Sequence, residues 1–256
     1  MKYLMVVAIL LTAGLRAQAP EAAPDPKQGR APTGKAILEE VDANMAANTS
    51  ITASRMIIHG RRGSRTVEAK SWSKGEDTAF TEYLAPAREK GTKMLKQGDQ
   101  LWLYSPVSDR TIQLSGHMLR QSVMGSDLSY EDMMDDPRLA ASYAAEVTGE
   151  ETIDDRPCWV LRLTATDDDT AYQSRKLWVD QEHRVPMREE LFAKSGKLLK
   201  RIELSELKQL GERWYPMRMR FKDMLKTGEG TEFVVDSIEF DPEIPEHIFS
   251  RAALRR

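Results

Sequence analysis

Four histidines, one cysteine and several acidic clusters are the side chains of this sequence with the chemistry to hold a metal or break a bond. His59, His117, His183 and His247 are widely separated, and none lies at a zinc-ligand spacing from another histidine or from Cys158. Zinc sites draw their ligands from short, fixed intervals. No HExxH, GxSxG, P-loop or GxGxxG motif is present, so no spacing carries a catalytic mechanism. Asp167, Asp168 and Asp169 lie between two strand-like segments, where a solvated turn is their ordinary role. Asp132, Asp135 and Asp136 stand by a helix end and Pro137, where capping is ordinary. Neither cluster has the alternating oxygen ligands and central glycine of an EF-hand. Cys158, beside Trp159 in an apolar run, reads as a buried, inert thiol. These residues predict no catalytic group, no cofactor and no metal.

The 13 methionines are more telling. Met118, Met124, Met133 and Met134 concentrate in one stretch; Met217, Met219 and Met224 lie on or beside a late strand. Methionine is flexible and polarizable and suits surfaces that fit varied apolar partners. The first group therefore reads either as core or as the lining of a lid over a cavity, together with Leu119, Val123, Leu128 and Tyr130. Trp72 and Phe80 fall on early strands, as does Met94. Trp102 and Tyr104 share one side of the LWLY run, and Leu101 and Leu103 share the other, since residues two apart on a strand face together. A run apolar on both sides needs cover on both. Trp72, Phe80, Met94, Trp102 and Tyr104 are expected to line the cavity.

The elements that must position these residues follow from periodicity. Lys2, the apolar stretch Leu4 to Leu15 and Ala17-Gln18-Ala19 form the pattern of a secretory signal peptide over 1–19. Its apolar run is too short to span a bilayer, which takes about 20 residues. A Pro- and Ala-rich leader over 20–32 follows, then one domain over 33–256. Without Lys2 and Arg16, 35 basic residues face 40 acidic ones, a net charge of −5 with the signs interspersed. No basic stripe points to nucleic acid. One cysteine excludes an intrachain disulfide, and no lipobox cysteine follows the signal, so a soluble, unanchored exported protein is expected.

Thr33 is a candidate N-cap for a helix with Ile37, Val41 and Met45 on one stripe, ending near Asn48. The period then becomes two. Short strands separated by turns such as Lys74-Gly75, Gly98-Asp99 and Ser195-Gly196 continue to Phe240, interrupted only from Gly116 to about Ala145. That interruption reads as a helical excursion, with Ser126 or Asp127 capping a helix that contains Leu128, Met133 and Met134. About 11–12 strands exceed what a twisted open sheet holds without curling. The predicted fold is mainly β: a strongly curved, antiparallel, incomplete β-barrel with an N-terminal helix and a helical lid. A short helix over Glu246 to Leu254 closes the chain.

Several motifs then resemble a known family. REKGTKMLK (Arg88 to Lys96), LWLYSP (Leu101 to Pro106), Arg110, Gly116 and QSVMGSDLSYEDM (Gln121 to Met133) are similar, in order and spacing, to the LolA-like outer-membrane lipoprotein-sorting proteins. The resemblance runs along nearly the whole mature chain, and the segment Met124-Gly125-Ser126-Asp127 is its most specific part. It implies a LolA/LolB-like half-closed barrel whose helical lid encloses an apolar cavity. It further implies a periplasmic, monomeric, non-enzymatic carrier of lipid or lipoprotein acyl chains, working between an inner-membrane transporter and an outer-membrane acceptor. Arg88, Lys90 or Arg110 is expected to latch the lid through Asp127, Glu131 or Asp132, with Gly116 and Gly125 as hinges. The competing readings are an envelope adaptor that serves a membrane exporter and, behind it, an envelope hydrolase.

Overall fold

Period-two alternation becomes one sheet. In the computed structural model, residues 32–255 are described apart from Arg62, Asp136, Pro137 and Asp169. The predicted signal peptide (1–19) and the leader up to residue 31 lie outside the described residues. The first six strands are β1 (Thr49–Gly60), β2 (Gly63–Lys74), β3 (Thr78–Ala85), β4 (Lys93–Gln97), β5 (Gln100–Ser105) and β6 (Arg110–Leu114). Seven more follow the interruption: β7 (Tyr143–Ile153), β8 (Arg156–Ala165), β9 (Ser174–Asp180), β10 (Pro186–Phe192), β11 (Leu198–Leu210), β12 (Arg213–Asp223) and β13 (Thr231–Phe240). The count of 13 corrects the expected 11–12.

All pair in one antiparallel sheet in the order β6-β5-β4-β3-β2-β1-β13-β12-β11-β10-β9-β8-β7. The sheet is therefore two meanders joined where β1 meets β13, and it stays open, with β6 and β7 as its edges. Local turns set each hairpin. Asp154 and Asp155, both at positive φ (49° and 62°), make the two-residue connection between β7 and β8, the twist that a tight hairpin prefers. Register shifts at Ala53/Ser54 and Val147/Gly149 mark bulges, which add twist and bend a strand.

This topology explains the interruption. Because β6 and β7 lie at opposite edges, the chain between them, residues 115–142, must cross the sheet. The N-terminal helix α1 (Gly34–Met45) covers the same inner face. The Thr33 hydroxyl caps it, accepting from the Ala36 amide at 3.2 Å. Its Ile37, Leu38 and Val41 pack on Leu161, Leu163, Leu177 and Val179 of β8 and β9.

The outer face is different. Most of it is an ion-pair lattice, as in Arg55–Asp236, Arg201–Glu190 and Arg162–Glu146, which keeps it wet. Cys158, Val160 and Trp178 form one apolar patch on it with Ile153 and Met187, and another is roofed by the chain's end. Two 3-10 turns, Glu246–Phe249 and Arg251–Arg255, replace the expected single helix. They bury Phe249 and Leu254 against Phe80, Leu95 and Trp102.

Candidate functional site

The crossing segment is built from short pieces and not from one long helix. It runs through a 3-10 turn (Gly116–Arg120), a second (Val123–Gly125), α2 (Tyr130–Met134) and α3 (Leu139–Ser142). Between Gln121 and Tyr130 it folds into a small hairpin. The Val123 amide donates to Leu128 O (2.8 Å) and the Tyr130 amide to Gln121 O (3.1 Å). The tetrad Met124-Gly125-Ser126-Asp127 is its tip, with Met124 and Gly125 both left-handed (φ 50° and 73°). A glycine meets the second position without steric cost. The helix cap is Ser129, not Ser126 or Asp127. Its hydroxyl accepts from the Asp132 amide while the Asp132 carboxylate accepts from the Ser129 amide, a reciprocal capping box.

Beneath this roof lies an apolar layer. Met56 and Val67 join Tyr83, Met94, Leu101 and Leu114 in burying Val123 and Tyr130. Met118, Leu119, Met124, Leu128, Met133 and Met134 pack around them, partly buried. Within the layer is a cavity of about 70 Å³ lined by Met56, Val67, Ala69, Tyr83, Val123, Leu128, Met133 and Phe233, with Ser54, Ser71 and Thr81 at its polar side. Ligand pockets usually start at roughly 300 Å³, so the roof as it stands is closed.

Nine of the residues singled out from the sequence thus come together here, and four do not. Trp72, Phe80, Trp102 and Tyr104 belong to the outer cluster under the C-terminal turns. Trp72 and Phe80 rings sit 5.8 Å apart, and the Arg251 guanidinium lies 5.1 Å from the Trp102 ring. The parity along LWLY is as expected, but the faces are exchanged: Leu101 and Leu103 look at the roof. Nothing in the sequence pointed to residues 246–255 as the cover of an aromatic face. The cavity residues missed from sequence, Met56, Val67, Ala69 and Phe233, carried only ordinary period-two patterning.

The roof is fastened by charge on both sides, through partners other than those expected. Arg88 is mostly exposed and pairs with Glu89; Arg110 is exposed at the start of edge strand β6. Arg65 of β2 is the residue that holds the tip, donating to the Met124 carbonyl and to Glu89 (3.0 Å). Asp127 does fasten the roof, but to β12 and β13. Its carboxylate accepts from Thr231 Oγ1 (3.1 Å) and the Asp223 amide (3.0 Å). Lys226 reaches Ser122 Oγ (2.8 Å) and the Ser126 carbonyl (3.0 Å).

Lys200 of β11 pairs with Asp132, which also accepts from the Tyr172 hydroxyl. Burial pushes the Asp132 carboxyl up, but the Lys200 charge, Ser129 and Tyr172 outweigh it and hold it below the usual carboxylate range. Arg175 of β9, 6% exposed, bridges Asp135 and Glu189 against the Tyr143 and Tyr172 rings. The two acids keep its guanidinium charged despite burial.

These pairs account for Asp132 and Asp135 as fasteners. Asp168 pairs with Lys194 at 2.8 Å in a turn, while Asp136 and Asp169 lie outside the described residues. Burial, with Asp180 nearby, pushes the Cys158 thiol up to about 11, so little thiolate forms at neutral pH. His59 links Ser64 Oγ (2.8 Å) and Glu232 (2.9 Å), but Ser64 is simply its cross-strand neighbour, on the outer face, and Arg218 shares Glu232. His183 stacks on Trp214 at 4.0 Å. Lys200 lies 3.2 Å from Ser129 Oγ, yet it is spent on Asp132 and the serine on capping.

Comparison with known proteins agrees with this geometry. A family model described as an uncharacterized protein matches residues 75–256. A domain described as outer-membrane lipoprotein-sorting from Vibrio parahaemolyticus superposes with a TM-score of 0.76 at 25% identity, covering 87% of this chain and 98% of that one. A DUF1329-family protein from Desulfovibrio piger gives 0.77 at 25% identity, covering 86% and 97%. A LolA-superfamily protein from Nitrosomonas europaea gives 0.70 at 26% identity, covering 87% and 100%. A search of curated proteins found no match. With the open sheet, the crossing roof and these likenesses in agreement, the chain belongs to the family that this model describes, and its fold is that of the LolA superfamily.

Proposed function

We propose that this protein is a periplasmic carrier that holds acyl chains of a lipid or lipoprotein between the inner face of its sheet and the segment 115–142. The observation that carries this reading is the apolar, methionine-rich interface between roof and sheet, with a cavity already present at its centre. Each buried methylene contributes about 0.8 kcal/mol. A chain of a dozen methylenes would be held too tightly to hand on if nothing opposed it. Here it must displace Val123, Leu128 and Met133 from the same surface, so its net affinity is a difference between two apolar contacts. The roof is closed over a cavity of about 70 Å³, and loading lifts it.

The same reading makes the protein a non-enzymatic shuttle, taking cargo from an inner-membrane transporter and yielding it to an outer-membrane acceptor. Native mass spectrometry of protein purified gently from its own envelope tests the reading. The expected result is a population carrying the mass of one or more acyl-bearing molecules, lost when the roof is disrupted. Protein that emerges free of lipid and fails to take up a fluorescent fatty acid would instead favour an envelope adaptor.

A further inference from the structure

The roof has two long edges, and the groove along one of them shares a lining residue with the cavity. Along the edge facing β11 and β12 runs a groove of about 570 Å³, walled by Leu199, Leu225, Lys200, Lys226 and the hairpin residues Asp127 and Leu128. Leu128 also lines the buried cavity. Leu128 therefore borders both the groove and the apolar interior. Along the opposite edge, a depression of about 360 Å³ between Arg88, Leu103 and Met124 shares no lining residue with the cavity. Arg65 stands at that edge, bound to the Met124 carbonyl.

We infer that the groove beside β11 and β12 is the port through which an apolar chain enters, and that Leu128 is its gate. This deepens the carrier reading and rests on it. The fastenings differ between the two edges in a way that fits. Arg65 grips the far edge with a planar guanidinium shared between Glu89 and a backbone carbonyl. The groove edge is held by more bonds, from Lys200 and the Tyr172 hydroxyl to Asp132, from Lys226 to the Ser126 carbonyl, and from Thr231 and the Asp223 amide to Asp127, but its two cations are point charges on flexible stems. Lifting the groove edge carries Leu128 out of the cavity mouth while Arg65 keeps the tip in register. The 59%-exposed Leu225 then gives the incoming chain an apolar contact, and its polar head stays among the charges of the groove.

Stopped-flow uptake of dansyl-undecanoic acid by the full-length mature protein tests this. Ala171→Trp and Leu225→Trp narrow the groove and should slow uptake several-fold, whereas Ser105→Trp at the far edge should not. Leu128→Ala removes the partition and should speed uptake; the tryptophan variants decide the matter if that variant folds poorly. Wild-type binding with rates indifferent to both groove substitutions, or slowed by Ser105→Trp alone, would overturn the port and leave the carrier reading standing. Failure of the wild-type protein to bind the probe would overturn the carrier reading itself.

Discussion

At the residue scale, two charges decide whether the roof stays down. Lys200 and Asp132 are both largely buried, and removing one partner of such a pair strands the other away from water. Lys200→Met should therefore cost about 3 kcal/mol of stability, the lower end for a broken buried pair, measured by denaturant unfolding. The sign of the pH effect follows from Asp132. Its folded value lies below the ordinary 3.8, so its contribution is complete above that value and is lost as pH falls through the folded one. Amide protection of residues 121–134 should accordingly drop in that acid range in the wild type. Asp132→Asn should show low protection already at neutral pH, without the acid step; an unchanged acid step would remove Asp132 as its origin. Arg65→Lys keeps the charge but not the two-way fork, and should loosen the tip by about 1.5–3 kcal/mol, the worth of a charge-assisted hydrogen bond, visible as faster exchange at Met124 to Asp127. Of these fasteners the roof's own acids, Asp127 and Asp132, were legible in the sequence, and their partners on the sheet were not. Arg65 and Lys200 looked like any other solvated charge on a strand, because the roof that meets them lies 59 and 68 residues away.

At the scale of elements, the covers are what make the sheet a protein. The first turn of α1 lies so close to β7 that a Cβ on Gly34 would stand 2.6 Å from the Ala145 carbonyl oxygen. Gly34→Ala should destabilise by about 1–3 kcal/mol through overpacking, read as a lowered Tm; no change would mean that the helix can slide. The C-terminal turns cover the other face. Ending the chain after Pro245 should expose Phe80, Leu95 and Trp102 and produce dye binding and aggregation, while a chain that remains monomeric and dry would show that the turns are dispensable. Helix α1 and its Thr33 cap were readable from spacing alone, since an i, i+4 stripe and a capping hydroxyl are local. The C-terminal cover was not: its residues show no periodicity, and their role depends on strands β3 to β5 standing opposite.

At the scale of the whole molecule, the order of strands imposes the function-bearing geometry. Placing β6 and β7 at opposite edges obliges the connecting segment to cross the inner face, and the methionines of that segment give it a surface able to repack around a guest. If loading requires the groove edge to lift, a disulfide there must block it. Asp127→Cys with Thr231→Cys replaces side chains now in contact at 3.1 Å. The oxidised double variant should take up fatty acid far more slowly than the reduced one, with recovery on adding reductant. Equal rates in both states would show that the roof need not move.

The sequence by itself determined the class of fold, the helix at Thr33, the strand-and-turn rhythm, and the segment that would form the roof. Each of these is written in local spacing, where neighbours along the chain are neighbours in space. Only the tertiary structure decided which face of each strand looks inward, which charges meet the roof, and how much room the interior holds. Period two fixes that Leu101 and Trp102 point in opposite directions, but not which of them meets the roof. That choice depends on where the segments 115–142 and 246–255 come to rest, and contacts over such distances leave no periodic trace in the chain.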